Sequence, residues 1–230
     1  MEAFIDGISA ISPQKTFSGT GFLYDIQEYD NTQFLRCIEP PFNDFLDPMA
    51  SRRMSRIVKM SVCAALKCLR EASMKIPDAI ITGTGLGCIE DTEKFLTSIY
   101  INEERLLNPT PFIQSTHNTV AAAIALILKC NGYNNTYVHR GFSFESALLD
   151  GLVLLHEGAA SHILIGGLDE LTNNSFTITS RLGLWKRQPV NNLRLMEYIG
   201  KGSLAGEGIA FFALNHEKNE NSIAKIRSVN

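Results

Sequence analysis

Apolar residues recur in this chain with two different periods, and the alternation between them gives an order of elements. Residues 4–12 read as a first strand, whereas residues 13–48 are polar, broken by proline and without sustained periodicity. Such a stretch forms a long excursion with short strands or turns, of the kind that is functional or covers a neighbour. Over 51–72, Met54, Ile57, Val58, Ser61, Val62, Ala65, Leu66 and Leu69 return every three or four places, which predicts an amphipathic helix with one buried face. Its polar face carries Arg56, Lys59, Lys67 and Arg70. Residues 78–82 predict a short buried strand that runs into Gly83-Thr84-Gly85-Leu86-Gly87, followed by a helix over 89–100. Residues 108–112 form a rigid turn, after which Asn118 is placed to cap a helix over 119–130 that is apolar on every side. A strand over 135–139, a helix over 143–156 and a strand over 162–165 ending at Gly166-Gly167 come next, then a loop rich in Asn and Thr. Strands over 208–214 and 222–229 close the chain as a hairpin.

Strands alternating with helices predict an α/β fold, a mixed, mainly parallel sheet finished by an antiparallel pair. Helices on the outside of such a sheet are amphipathic, yet those over 119–130 and 143–156 are apolar on nearly all faces. They read as buried central helices, a middle layer that needs protein on both sides. This chain supplies one sheet and has no internal repeat to supply a second. An isolated copy is therefore expected to expose apolar surface and to bind itself or a partner.

At 230 residues and 45% hydrophobic, the chain can bury a sizeable core as one large domain or two small ones, and one domain spanning 1–230 is the expectation. A net charge of −3 with scattered Lys and Arg argues against nucleic acid or an anionic membrane as partner. The one basic cluster, Arg52, Arg53 and Arg56, is read as the solvated opening of a helix, with an acidic carrier protein as the alternative partner. Five cysteines, odd in number and without a C-x-x-C pair, suggest reduced thiols in the cytoplasm, no disulfide framework and no zinc site. The N-terminus has an acid where a signal peptide wants basic charge, and no apolar run reaches membrane-spanning length. His117 and His156 have no ligand spacing around them, so no metal and no cofactor is expected.

The chemistry centres on residues 136–158, which read as a strand, a sharp turn and an apolar helix. That arrangement exposes one side chain and aims free helix N–H groups at a developing oxyanion, as acyl transfer requires. Here the turn is His139-Arg140-Gly141-Phe142, with no thiol. Ser143, with His139 as base, is the available nucleophile; an N-cap followed by Glu145 is the plainer reading of Ser143. His139 and Arg140 have the polarity to bind a carboxylate or thioester oxygen, or simply to hold the turn. Gly83-Thr84-Gly85-Leu86-Gly87 is G-x-G-x-G, one residue short of the dinucleotide fingerprint, and reads as a close turn. Asp169 and Glu170 read as loop-holding acids rather than catalytic ones. Trp185, with Arg181, Lys186 and Arg187, either contacts a partner or packs over the sheet edge.

Five motifs in a fixed order carry a resemblance: Ser55-Arg56 and its helix; residues 80–87; Pro111-Phe112 with His117-Asn118; residues 164–170; and Gly206-Glu207-Gly208 before a β-run. The chain resembles the N-terminal half of β-ketoacyl-acyl-carrier-protein synthases, condensing enzymes of thiolase-like fold. The resemblance implies a thiolase-like half-fold and an acyl-condensing context. In those enzymes a cysteine at the turn before the central helix attacks an acyl thioester, and two histidines in the C-terminal half assist decarboxylation. Counting from Glu157-Gly158 and Gly166-Gly167 puts Gly141 at the cysteine's place, beside Phe142. The half bearing the histidines does not follow.

The resemblance is closest in kind to chain length factors, which have lost the cysteine and share an acyl tunnel with a catalytic partner. It implies a short synthase-like protein of fatty-acid, polyketide or aryl-polyene-type biosynthesis. The implied role is a noncatalytic accessory subunit, paired with a ketosynthase-like subunit or itself and visited by an acyl carrier protein. Phe112, Thr116, His117, Asn118 and Thr119 correspond to the tunnel and dimer border, with Phe142 beside them. Two other readings stand: an active acyltransferase or half-enzyme completed by a partner, and an interaction protein without acyl substrate.

Overall fold

The computed structural model describes residues 2–19, 23, 25–30 and 32–229. Within the excursion expected over 13–48, positions 20–22, 24 and 31 lie outside the described residues. In chain order the elements are β1 (Ala3–Ile11), β2 (Phe34–Leu35), α1 (Pro48–Ser51), α2 (Arg56–Glu71), β3 (Ala79–Gly83), α3 (Ile89–Ile101), α4 (Pro109–Gln114) and α5 (Thr119–Leu128). They continue with β4 (Tyr133–Tyr137), α6 (Ser143–His156), β5 (His162–Asp169), α7 (Asn173–Arg181), β6 (Ala205–Gly206), β7 (Gly208–Asn215) and β8 (Ala224–Ile226).

Among the described residues six strands form one mixed sheet in the order β4-β3-β5-β7-β1-β8, and β2 pairs with β6 separately. β3 is parallel to β4 and β5, whereas β7 is antiparallel to β5 and β1, and β8 to β1. Strands β1, β3, β4 and β5 therefore point one way, which is the mainly parallel α/β arrangement the sequence predicts. The expected terminal hairpin is not formed. β1 lies between β7 and β8, with Phe4 facing Asn215 on one side and Lys225 on the other. A bulge between Ile5 and Gly7 sets Asp6 beside the β7–β8 connection. Its carboxylate accepts from Asn215, Asn219 and Ser222, holding the connection across β1.

Alternation along the strands divides the core. Ile11, Ile80, Leu164, Phe211 and Ala213 face α2 and α5 on one side. Ile81, Ile163, Ile165 and Leu214 face α6 on the other. The single middle layer expected of the two apolar helices is thus corrected: they lie on opposite faces, and each keeps an outward side, with Leu126 on α5 79% exposed and Leu149 on α6 47% exposed. Gly7 lets α2 approach β1, since a Cβ there would lie 2.5 Å from the Cys68 carbonyl oxygen.

Three expectations differ for local reasons. The rigid turn expected over 108–112 is instead the start of α4, capped by Asn108, whose side chain accepts the Thr110 amide at 3.0 Å. The helix expected over 51–72 is broken, because Ser55 is extended and its amide donates to Gln114 Oε1 at 2.8 Å, while the Arg53 carbonyl accepts from the same side chain. The Asn- and Thr-rich loop contains α7, started by a capping box in which Thr172 and Ser175 bond each other's amides. Trp185 Nε1 donates to Thr179 Oγ1 at 2.6 Å, so the indole packs against α7.

Candidate functional site

The site lies where β3, β4 and β5 end and α6 begins. Between β4 and α6 the chain reverses within a short 3-10 turn over Arg140–Phe142, and Arg140 is left-handed at φ 52°. Ser143 pins this turn from within. Its hydroxyl, 3% exposed, accepts the His139 amide at 2.8 Å and lies 2.8 Å from the carbonyl oxygens of both Thr84 and Arg140. The expected N-cap is therefore corrected: Ser143 ties the turn that precedes the helix, and no side chain caps α6. The hydroxyl proton goes to main-chain carbonyls, and His139 meets the hydroxyl through its amide rather than its imidazole.

Close approach makes two glycines necessary here. A Cβ at Gly83 would stand 2.4 Å from the Ser143 carbonyl oxygen, so glycine lets α6 start directly over β3. Gly87 is left-handed at φ 64°, and a Cβ on it would stand 2.7 Å from His117 Cδ2. Gly141 differs, because a Cβ there would meet nothing within 4 Å. The turn has room for a side chain it does not carry.

Asp169 organises the loop between β3 and α3. Its Oδ1 accepts from Thr84 Oγ1 at 3.0 Å, Gly85 N at 2.9 Å and Leu86 N at 3.1 Å. The amides a phosphate would use are thus bound to an internal carboxylate. Burial raises the Asp169 pKa although these three donors pull the other way. Next to it Glu170, 2% exposed, accepts the Glu90 amide at 3.1 Å at the start of α3. Burial pushes its pKa up to about 7, reinforced by the negative charges of Glu90, Asp91 and Glu207.

Across the cleft Glu207 accepts from Arg56 Nη1 at 3.0 Å with both oxygens, and from the Cys37 amide at 2.9 Å. Arg56 Nε also bonds Glu39 at 2.6 Å. The basic cluster is corrected accordingly: it straddles the break between α1 and α2, and Arg56 turns inward. The Ser55-Arg56 and Gly206-Glu207-Gly208 motifs thus meet, a pairing that their opposite charges allow and their sequence separation hides.

These groups border an open cleft of about 420 Å³, whose walls include Gly83, Arg140, Gly141, Glu145, Gly167, Asp169 and Glu207. Of the remaining candidates, His117 meets the Gly83–Gly87 loop. Gly85 approaches Arg140, and Gly87 rests on His117. Phe112 is 55% exposed with its ring 5.0 Å from that of Phe95, and Thr116 bonds Thr119 hydroxyl to hydroxyl at 2.8 Å. Asn118 occupies the N-cap position of α5 but makes no side-chain cap bond. Phe142 projects from the turn, 68% exposed.

All five thiols are free. Burial pushes Cys37, Cys63, Cys68 and Cys88 up to about 12, and Cys130 is half-buried on the far side, its Sγ 3.2 Å from the Pro77 carbonyl oxygen. Among the described residues no three His, Cys, Asp or Glu side chains converge as metal ligands, and no helix is long and apolar enough to cross a membrane.

Residues 28–189 match the β-ketoacyl synthase N-terminal domain family. A ketosynthase in complex with its chain length factor, from Xenorhabdus doucetiae, superposes with a TM-score of 0.62 at 17% identity over 94% of this chain and 79% of that one. A β-ketoacyl synthase from Burkholderia phymatum gives 0.71 at 16% over 93% and 59%. A type II polyketide acyl-carrier protein in complex with its ketosynthase bound to the hexaketide gives 0.71 at 13% over 93% and 62%. At these identities the likeness is one of fold, that of thiolase-like ketosynthases. The chain spans less than two thirds of the latter two. No curated protein matches it in sequence.

Proposed function

Because the chain belongs to the β-ketoacyl synthase N-terminal domain family, we infer that it is a noncatalytic, chain-length-factor-like subunit of an acyl-condensing complex of fatty-acid, polyketide or aryl-polyene type. It acts as a single domain in the cytoplasm, beside a ketosynthase-like subunit that carries the chemistry and receives acyl carrier protein. One observation carries the reading. The turn that would present a nucleophile is intact, yet it holds Gly141 with open space beside it and a Ser143 hydroxyl buried in main-chain bonds. Condensation needs an attacking group as well as oxyanion donors, and removing the nucleophile costs orders of magnitude in rate.

The partner reading is supported by the outer edge of β4, an end strand of the sheet, and by Leu126 and Ile127 on α5 beside it, 79% and 38% exposed. The first neighbour adds support, being a ketosynthase complexed with its chain length factor. In this role Phe112, Thr116, His117, Asn118 and Phe142 border the growing acyl chain.

Co-expression with the ketosynthase-like subunit of the same pathway tests the reading. The expected result is a stable complex whose product length shortens with Thr116→Trp or Phe142→Trp while this chain stays unacylated. Failure to form the complex, or unchanged product length with both variants, would contradict it.

A further inference from the structure

The face of the sheet that carries α6 is half covered. α6 packs on β3, β4 and β5 and reaches β7 through Phe144, whose ring lies 5.7 Å from that of Phe212, whereas beyond that contact Ile8 and Ala10 of β1 and Ala210 of β7 have no helix above them among the described residues. Ile8 is 45% exposed although it stands mid-strand opposite Phe212. On the other face α2 covers the β1 and β7 end and α5 the β3 and β4 end. Two strands about 4.8 Å apart make a lane about 10 Å wide, and a helix with its side chains is about 10–12 Å across. The uncovered lane has room for one helix.

The outward side of α6 is the counterpart. Phe142, Glu145, Leu149, Val153 and His156 recur every three or four residues on one stripe, with Phe142 68% and Leu149 47% exposed. The helix holds no Lys or Arg, and its stripe has an acid near the N-terminal end and an imidazole at the C-terminal end. The spacing reads almost the same in both directions, so two such helices side by side and antiparallel set each Glu145 against the other's His156.

We propose that a second copy of this chain closes this face through a two-fold axis, each α6 lying on the β7–β1 lane of the other copy. Helix and lane are both unfilled on one chain, and the two-fold fills both at once, which is the self-complementarity of an isologous interface. A lane of about 10 by 20 Å with a helix side of about 21 by 10 Å gives roughly 400 Å² in projection per copy. Side-chain relief brings that toward the roughly 800 Å² each partner gives to a standard interface. The cleft at Gly141 lies at the same edge, so the second copy would supply its open wall. This pairing uses a different face from the β4 edge and stands independently of the acyl role.

Light scattering on the full chain, with Leu149→Glu and, as control, Asn135→Pro on the β4 edge, tests it. Leu149→Glu is expected to halve the particle mass to 25.5 kDa with an unchanged circular dichroism spectrum, and Asn135→Pro to leave the mass of this pair intact. Should Leu149→Glu fail to fold, the Ile8→Cys, Val153→Cys double variant decides. Mild oxidation is expected to give a covalent dimer, which neither single variant gives. A monomeric native chain, a mass untouched by a folded Leu149→Glu, or no cross-link would overturn the proposal. So would protection of Cys at position 8 from alkylation only when a separate ketosynthase-like polypeptide is added.

Discussion

Glu170 shows how a single residue links the site to stability. Its pKa is about 7 in the fold and 4.5 outside it, so the folded state binds the proton more tightly. Its stabilising contribution is complete below about pH 4.5 and is lost as pH rises through about 7. Glu170→Gln, which keeps an acceptor for the Glu90 amide, is expected to leave stability unchanged at pH 4.5 and to raise it by as much as about 3 kcal/mol at pH 8. Urea unfolding at the two pH values checks this; a variant less stable at pH 8 would contradict it. Glu207 contributes through its partner, since its side chain is 1% exposed and bonded to Arg56. Arg56→Ala strands a buried carboxylate, with an expected loss of about 3–5 kcal/mol. Adding Glu207→Gln should recover part of that loss in the same unfolding measurement.

The thiols make a third prediction at this scale. Native protein treated with iodoacetamide should label at Cys130 first, with the four buried cysteines protected until unfolding. Peptide mapping reads this directly. The Arg56–Glu207 pair was legible as two motifs but not as one contact, because a contact between positions 56 and 207 leaves no local pattern. Asp169 was legible as a loop-holding acid because it follows a Gly-Gly strand end beside a Gly-rich turn. What sequence did not give is that the loop's amides converge on a single oxygen.

At the scale of elements, hydrophobic period located β1, α2, β3, α3, α5, β4, α6, β5 and β7 within a few residues, since each buries one repeated face. It missed α7, whose Asn, Ser and Thr residues favour turns and whose capping box uses Ser175 where Glu or Gln gives the usual signal. It also mistook the end of the chain. Two apolar runs close in sequence read as a hairpin, but each pairs with β1, and Asp6 at the bulge holds their connection. The start of α6 over β3 is the tightest contact between elements near the site. Gly83→Ala places a methyl against the Ser143 carbonyl, so a loss of about 1–3 kcal/mol is expected, with the Arg140–Phe142 turn displaced. A Gly83→Ala variant with native melting temperature would contradict that packing.

At the scale of the whole molecule, the apolar character of α5 and α6 signalled surface in need of a partner. Periodicity could not say that the two helices occupy opposite faces, because it reports how much of a helix is apolar and not which layer covers it. Among the described residues two fronts stay open, the β4 edge beside α5 and the β7–β1 lane beside α6. The cleft at Gly141 lies between α6 and the strand ends, and on the proposed reading it has no nucleophile of its own.

Intact-mass spectrometry after incubation with an acyl-acyl-carrier-protein thioester tests that claim most directly, using the native chain beside Gly141→Cys, whose side chain has room at the turn. The native chain should keep its mass, and the variant should gain one acyl group on the new thiol. An acyl adduct on the native chain, on Ser143 above all, would contradict the account.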